Sequence, residues 1–389
     1  MSKNIVICCD GTGNEIEINL SNVLKLYRCL KKTDEQVVYY DTGIGTVSQS
    51  DDWGQRWNKI KSVFGLMTGR GMNQNVLDAY TFLVKNYKKG DHIYLFGFSR
   101  GAHTVRVLAG FLRVVGLLSS NQENLFEYAL TSYKKVLGSN DEAIGWRVNK
   151  IAEGNYVPIK FIGVWDTVSS VLVPREDQIL PTMQKLAHTG SNELVEVFRH
   201  AISIDERRRM FRVDRWKEGQ LYKSNPFMND DHVNTVSQNS KQVWFAGVHS
   251  DIGGGYPEDE SGIAKFSLKW MMDEAKDHGL LIKTQMYNHL AHGKLRKGGN
   301  QNYVSPDHKA DIHNSLTFGW WPLELMPKLD VLKEWPKRWA IVLWAFYFPR
   351  AEPRLIKNGE LIHQSVIDRI KDVDDYNPEN IPKSYNIEP

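Results

Sequence analysis

The sequence predicts an α/β fold: a mostly parallel central sheet with helices on both faces. Three observations carry this. Short apolar runs alternate with longer amphipathic ones through the first 116 residues. Two later apolar runs are nearly uninterrupted, as in strands buried on both faces. One run ends in Gly97-Phe98-Ser99-Arg100-Gly101 and passes at once into helical periodicity.

The elements follow in order. "NIVICCD" (4–10) reads as a strand, with the adjacent Cys8 and Cys9 pointing to opposite faces. The amphipathic "SNVLKLYRCLKK" (21–32) reads as a helix capped by Ser21 or Asn22. "QVVYYDTG" (36–43) is a second strand and "MNQNVLDAYTFLVKNY" (72–87) a second helix. "HIYLFGF" (92–98) and "RGAHTVRVLAGFLRVVG" (100–116) complete a β-α-β-α-β-α run, which implies parallel strands with right-handed crossovers. The two uninterrupted runs are "VPIKFIGVWD" (157–166) and "KQVWFAGVH" (241–249). The expected organisation is one domain with a core at about 1–170 and 241–280. An insertion is expected at about 171–240 and a C-terminal extension at about 281–389.

A chain of 389 residues can bury a large core. Its 49 basic and 46 acidic residues leave a net charge of +3, too little for tracking nucleic acid phosphates. The three cysteines make no C-x-x-C pair and imply no disulfide framework, which suits a reducing compartment. The apolar start is short and ends in Asp10, a poor signal peptide. The longest uncharged apolar run, "WAIVLWAFYF" (339–348), is about half of the ~20 residues that a membrane-spanning helix needs. The chain is therefore expected to be cytoplasmic as synthesised and not transmembrane. The same features suit a resident enzyme or the cargo of a one-step secretion machine.

Ser99 is expected at the carboxyl end of a central strand, where ligands bind in open α/β sheets. G-x-S-x-G between a strand and a helix is a nucleophile elbow. The turn is strained, and side chains at Gly97 or Gly101 would collide with the neighbouring strand or helix. The Arg100 N–H points to the same space, at a helix N-terminus that favours negative charge. Such a turn supplies a nucleophile and half of an oxyanion hole. Read without its flanks, the motif is only a glycine-rich turn.

A serine needs a base, and the base an orienting carboxylate. In α/β-hydrolases these follow in the order Ser, Asp or Glu, His, each past a later strand. Asp166 ends "IKFIGVWD" and His249 ends "VWFAGVH", which supplies that order. The plainer alternatives are a turn aspartate and a histidine satisfied by backbone. His313 is the reserve base and Asp251 the rival orienter. His103, one helical turn beyond Ser99, is expected to pack on the elbow helix. The second oxyanion donor is expected from the N–H of Gly11 or Thr12 in "CCDGTGNE", with Asp10 anchoring that loop.

"IVICCDGTGNE", "YYDTGIGT", "IYLFGFSRGAHTVR", "FIGVWDTVSS", "FRHAISIDERRRMF", "WFAGVHSDIGGGY" and "IHQSVIDR…YNPENIP" stand in order along nearly the whole chain. Together they resemble the signature blocks of a large α/β-hydrolase family, long catalogued as a domain of unknown function, that includes the type VI secretion lipase effectors of family 1. The resemblance implies a nucleophile at Ser99, an aspartate at Asp166 and a histidine at His249. For the effector branch it implies phospholipid ester hydrolysis. Gly13 stands where a tryptophan is frequent and His103 where an aromatic residue is frequent, two minor departures that bear on substrate preference more than on chemistry.

The expected function is thus a serine ester hydrolase, phospholipase-like, with no cofactor and no metal. Its substrate would be a lipid or another acyl ester. Two other classes compete. One is a hydrolase-fold binding or assembly module with the site unused. The other is a phosphoesterase, since "IVICCDGTG" is similar to the hhhhD-x-D-G-T strand of aspartate-nucleophile phosphatases, but Cys8 replaces the nucleophilic aspartate. The basic run "DERRRMFRVDRWK" (205–217) reads either as a patch for phosphate head groups or, preferably, as a salt-bridged segment that faces water. The stretch 320–344 holds five of the twelve tryptophans and reads equally as core or as a transient membrane-surface contact. Protein partners are not indicated, and no nucleic acid is expected.

Overall fold

The computed structural model describes residues 2–11, 19–43, 70–139, 147, 149–151, 153–168, 172–173, 182–183, 187–225, 236–296, 298, 302–325, 328–329, 334–335 and 346–389. Eight strands form one sheet: β1 (Asn4–Cys9), β2 (Gln36–Asp41), β3 (His92–Phe98), β4 (Ile159–Trp165), β5 (Val195–Ser203), β6 (Asn239–Phe245), β7 (Leu361–His363) and β8 (Asn386–Glu388). Their spatial order is β8-β7-β6-β5-β4-β3-β1-β2, and every pairing is parallel. The order reverses between β1 and β3, so the crevice above those strands is a topological switch point, where ligands bind in this architecture.

The alternation of β1 shows how the two faces are filled. Ile5, Ile7 and Cys9 face the helices α2 (Arg70–Asn86), α3 (Arg100–Val114) and α4 (Phe126–Ser139). Val6 and Cys8 face α1 (Asn22–Cys29), α6 (Ala264–Asp277) and α7 (Thr284–His292). A five-residue helix, α5 (His249–Gly253), follows β6. Both faces are apolar because a parallel sheet covered on both sides exposes neither to water. Of the two residues expected to cap α1, Ser21 does so, accepting the Leu24 N–H at 3.0 Å.

Two expectations are corrected. The stretch 171–240 is not wholly an insertion, because it contributes β5, paired between β4 and β6. Glu196, Arg199 and His200 interrupt its apolar run, and that hid the strand. Arg199 is tolerated there because its Nε donates to Glu274 of α6 at 2.6 Å. The stretch 281–389, expected as an extension outside the core, is partly core itself. It adds β7 and β8 beyond β6, and α8 (Gln364–Asp372) after β7. Ile362 and Val366 of this segment share a third apolar cluster with Ile202 and Trp244. Among the described residues no helix is long and apolar enough to cross a membrane. Most of 339–348 lies outside the described residues.

Candidate active site

Strand β3 ends at Phe98 and helix α3 begins at Arg100, so Ser99 makes the whole turn alone. Its φ of 56° and ψ of −117° lie where residues with a side chain are strained. Its N–H is held by the Trp165 carbonyl at 3.1 Å. The flanking glycines allow the turn. A Cβ at Gly97 would stand 2.4 Å from the Gly101 carbonyl oxygen, and one at Gly101 only 2.0 Å from that of Cys9. The structure thus has the close approaches that the spacing predicted.

Asp166 follows β4 with φ 39° and is fully buried. His249 opens α5, past the turn that follows β6, and is 4% exposed. Across the three strand ends, His249 Nε2 lies 2.8 Å from Ser99 Oγ. His249 Nδ1 lies 2.5 Å from Asp166 Oδ2. An ionised carboxylate only accepts, so Nδ1 donates to it and Nε2 is left to accept the serine hydroxyl. The imidazole is wedged between Phe98 (centroids 4.7 Å apart) and the edge-on Phe211 (4.9 Å). Its backbone N–H donates to the buried Glu206 Oε2 at 3.2 Å.

The sequence reading missed Arg354. Its side chain is fully buried and meets the Asp166 carboxylate with both terminal nitrogens, Nη2 at 2.9 Å from Oδ2. The same guanidinium donates to the carbonyls of Ser203 (3.0 Å) and Phe211. Asp166 Oδ1 also accepts the Ser203 N–H at 3.0 Å. Burial alone would raise the Asp166 pKa. The Arg354 charge and the His249 and Arg354 hydrogen bonds outweigh it and hold the carboxyl well below the usual carboxylate range. Nothing local in "AEPRLIK" signals this role, since the contact spans 188 positions. A second unforeseen support is His200, buried in β5. Its Nε2 accepts the Thr167 N–H at 3.1 Å and steadies the turn that carries Asp166. Burial lowers the His200 pKa to about 3, so the ring is neutral and able to accept.

The other candidates lie elsewhere. His313 Nδ1 is 2.6 Å from Asp251 Oδ1 and Nε2 is 2.9 Å from Glu260, with the ring stacked on Tyr256. Asp251 also accepts the Val248 N–H at 3.0 Å. These two satisfy one another, and neither has a hydrogen bond to Ser99 or to the His249 ring. His103 is buried in α3 with no hydrogen bond at either ring nitrogen among the described residues, and burial lowers its pKa to about 4. Asp10 anchors the loop after β1. Oδ1 accepts the Gly11 N–H at 2.7 Å, and Oδ2 accepts the hydroxyls of Tyr40 (2.7 Å) and Ser21. The Gly11 N–H, expected as an oxyanion donor, is therefore turned to Asp10. Thr12 and Gly13 lie outside the described residues. Cys8 is fully buried in β1 and burial pushes its thiol pKa up, which unsuits it to nucleophilic work.

The basic run 205–217 is mostly neutralised, and by the C-terminal segment. Arg212 pairs with Glu352 at 2.7 Å, Arg215 with Glu360, and Arg207 with Glu379 at 3.3 Å, while Arg209 donates to the Leu323 carbonyl at 2.8 Å. Of the five tryptophans in 320–344, Trp320 packs edge-on against Phe211 beside the site, and Trp335 donates to the Pro353 carbonyl at 2.9 Å. Trp321 is 38% exposed, and Trp339 and Trp344 lie outside the described residues. Among the described residues no group of three or more His, Cys, Asp or Glu is placed to hold a metal ion.

A parallel sheet with its order reversal beside a strained strand-to-helix serine, and with its later strands delivering Asp166 and then His249 to the same edge, has the α/β-hydrolase-like fold. More narrowly, the chain belongs to the family described as T6SS, phospholipase effector Tle1-like, catalytic domain, whose model matches residues 3–274. It is 35% identical over 225 residues to the uncharacterized protein YEL023C of Saccharomyces cerevisiae. That match covers 54% of this chain and 32% of the relative, so the chain spans about a third of the length of the curated relative it matches. Two solved structures are similar at low identity. An uncharacterized protein from Pseudomonas aeruginosa is 19% identical, with 72% of this chain and 46% of that chain covered and a TM-score of 0.40. The Tle1 effector bound to the VgrG spike from the type 6 secretion system is 17% identical, with 66% and 52% covered and a TM-score of 0.33.

Proposed function

We propose that this protein is a serine ester hydrolase that cleaves acyl esters of the phospholipid type. The observation that carries the reading is the continuous hydrogen-bond chain from Ser99 Oγ through His249 to Asp166. Ser99 Oγ attacks the acyl carbonyl carbon while His249 Nε2 takes the hydroxyl proton. The carbonyl oxygen becomes an oxyanion at the N-terminus of α3, where the Arg100 N–H is a donor. His249 then returns the proton to the leaving alcohol oxygen, the C–O bond breaks, and an acyl-Ser99 ester remains. Water attacks that ester with His249 again as base, releasing the fatty acid and the free serine. Asp166 keeps the imidazole in the tautomer that accepts at Nε2 and stabilises it when protonated. Family membership supports a lipid ester as substrate.

The test is reaction with a fluorophosphonate probe, which only an activated serine captures quickly. The full chain should label at Ser99 and hydrolyse a p-nitrophenyl ester. Ser99→Ala should lose the label and lower turnover by about three orders of magnitude or more. A Ser99→Ala chain that keeps most of its turnover would refute the assignment. No labelling of the parent would favour a binding module with the site unused.

A further inference from the structure

Arg208 is set apart from the other cations of the basic run by where its guanidinium is held. Glu206 accepts from its Nε and Nη2 at 2.9 and 2.8 Å, which fixes the plane of the group. Phe211 lies against one face, 3.6 Å from the guanidinium carbon to the ring centroid, and Trp320 lies near it at 5.1 Å. Both anchors also touch the site, since Glu206 accepts the His249 N–H and Phe211 meets the His249 ring edge-on. One aromatic ring thus separates the guanidinium from the imidazole. A guanidinium has five N–H donors, and Glu206 occupies only the Nε–Nη2 edge. Nη1 has no hydrogen-bond partner among the described residues, and the side chain keeps 12% exposure.

We infer that Arg208 is the substrate-recognition cation of this site, and that the Nη1 edge binds the phosphate of a glycerophospholipid while its acyl ester lies over Ser99. In such a lipid a few bonds of glycerol separate the phosphate from the scissile ester, so a cation one ring away from the base is suitably placed. A planar fork locked by a carboxylate and two aromatic rings loses little rotamer freedom on binding, and it suits paired phosphate oxygens. The inference rests on the ester-hydrolase reading and deepens it by naming what the site recognises beside the ester.

The test compares Arg208→Met and Arg208→Lys with the parent on three substrates: phosphatidylcholine and the matching diacylglycerol in the same neutral-detergent micelles, and a p-nitrophenyl ester. Phosphatidylcholine carries no net charge, so an effect of micelle surface charge is removed. Arg208→Met should lower kcat/KM on phosphatidylcholine by about 10- to 100-fold and on the two phosphate-free esters by less than about threefold, with Arg208→Lys between. Equal losses on all three would reduce Arg208 to a prop for Glu206 and Phe211 and overturn the inference, as would no loss on phosphatidylcholine. Binding gives a readout that does not depend on turnover. By calorimetry, the Ser99→Ala chain should bind a short-chain phosphatidylcholine at least about tenfold more tightly than the matching diacylglycerol, and adding Arg208→Met should erase the difference. No such preference would overturn the inference even if no ester were turned over. Inorganic phosphate binding as tightly as the lipid would make the bare anion the ligand and overturn the headgroup assignment.

Discussion

Replacing Arg354 by methionine tests the buried centre of the site. The side chains of Arg354 and Asp166 are both inaccessible to water, and the guanidinium donates to both carboxylate oxygens and to two backbone carbonyls. Methionine keeps much of the length and removes the charge and every donor. Asp166 would then be left buried and charged with, among the described residues, the Ser203 N–H and His249 as partners. Removing one member of a buried ion pair costs about 3–5 kcal/mol. Summing four charge-assisted bonds would overstate this, because the substitution also removes the cost of burying the guanidinium. Against a total stability of ~5–15 kcal/mol, the midpoint of urea unfolding should fall markedly. The effect should depend on pH in a defined direction. The Asp166 pKa is depressed in the folded state, so the stability it contributes is present above the unfolded carboxylate value near 3.9 and is lost as pH falls through the folded value. Arg354→Met should therefore cost its full amount at pH 7 and progressively less below about pH 4. Asp166→Asn with Arg354→Met should cost less than the two single changes added. Urea unfolding of the four chains, followed by circular dichroism at both pH values, reads all of this. A cost under about 1 kcal/mol at pH 7, or one that persists unchanged in acid, would mean that water reaches Asp166 and would refute the reasoning.

Three further outcomes are expected. Gly101→Ala places a methyl group 2.0 Å from the Cys9 carbonyl oxygen, so the turn must shift; ester turnover should fall by about a hundredfold or more while the circular dichroism spectrum stays close to the parent's, and unchanged turnover would contradict the described approach. His313→Ala should leave ester turnover within about threefold of the parent, because its ring serves Asp251 and Glu260 rather than Ser99; a drop comparable to His249→Ala would restore it as the base. Lys265 is buried, and burial together with the neighbouring Lys25 lowers its pKa to about 7. The unfolded chain then binds more protons between about pH 7 and the ordinary lysine value near 10.4, so stability should rise across that interval. Lys265→Met should flatten this rise in thermal melts taken from pH 7 to 10, and a slope that survives the substitution would assign it to another group.

Much of the site was legible because it is written in local chemistry. The two glycines around Ser99 are demanded by backbone approaches within a few ångströms of the turn, so the motif appears in the sequence as itself. Asp166 and His249 were readable because each follows a run whose apolar character marks a buried parallel strand. By contrast, β5 was hidden by Arg199 and His200. Both are accommodated inside a central strand because partners such as Glu274 and the Thr167 N–H meet them there. Those partners lie 75 and 33 positions away.

The sequence by itself determined the α/β class, the first six elements, the strained serine turn and the chain order of its partners. Each of these follows from periodicity or from steric demands among near neighbours. Only the tertiary structure decided that the C-terminal segment completes both sheet and site, through β7, β8, Arg354 and Trp320. It alone turned the Gly11 N–H toward Asp10 and drew His313 to Asp251. A buried charge declares its partner only when the chain has folded, because what makes the pairing necessary is the exclusion of water, and no linear spacing encodes that.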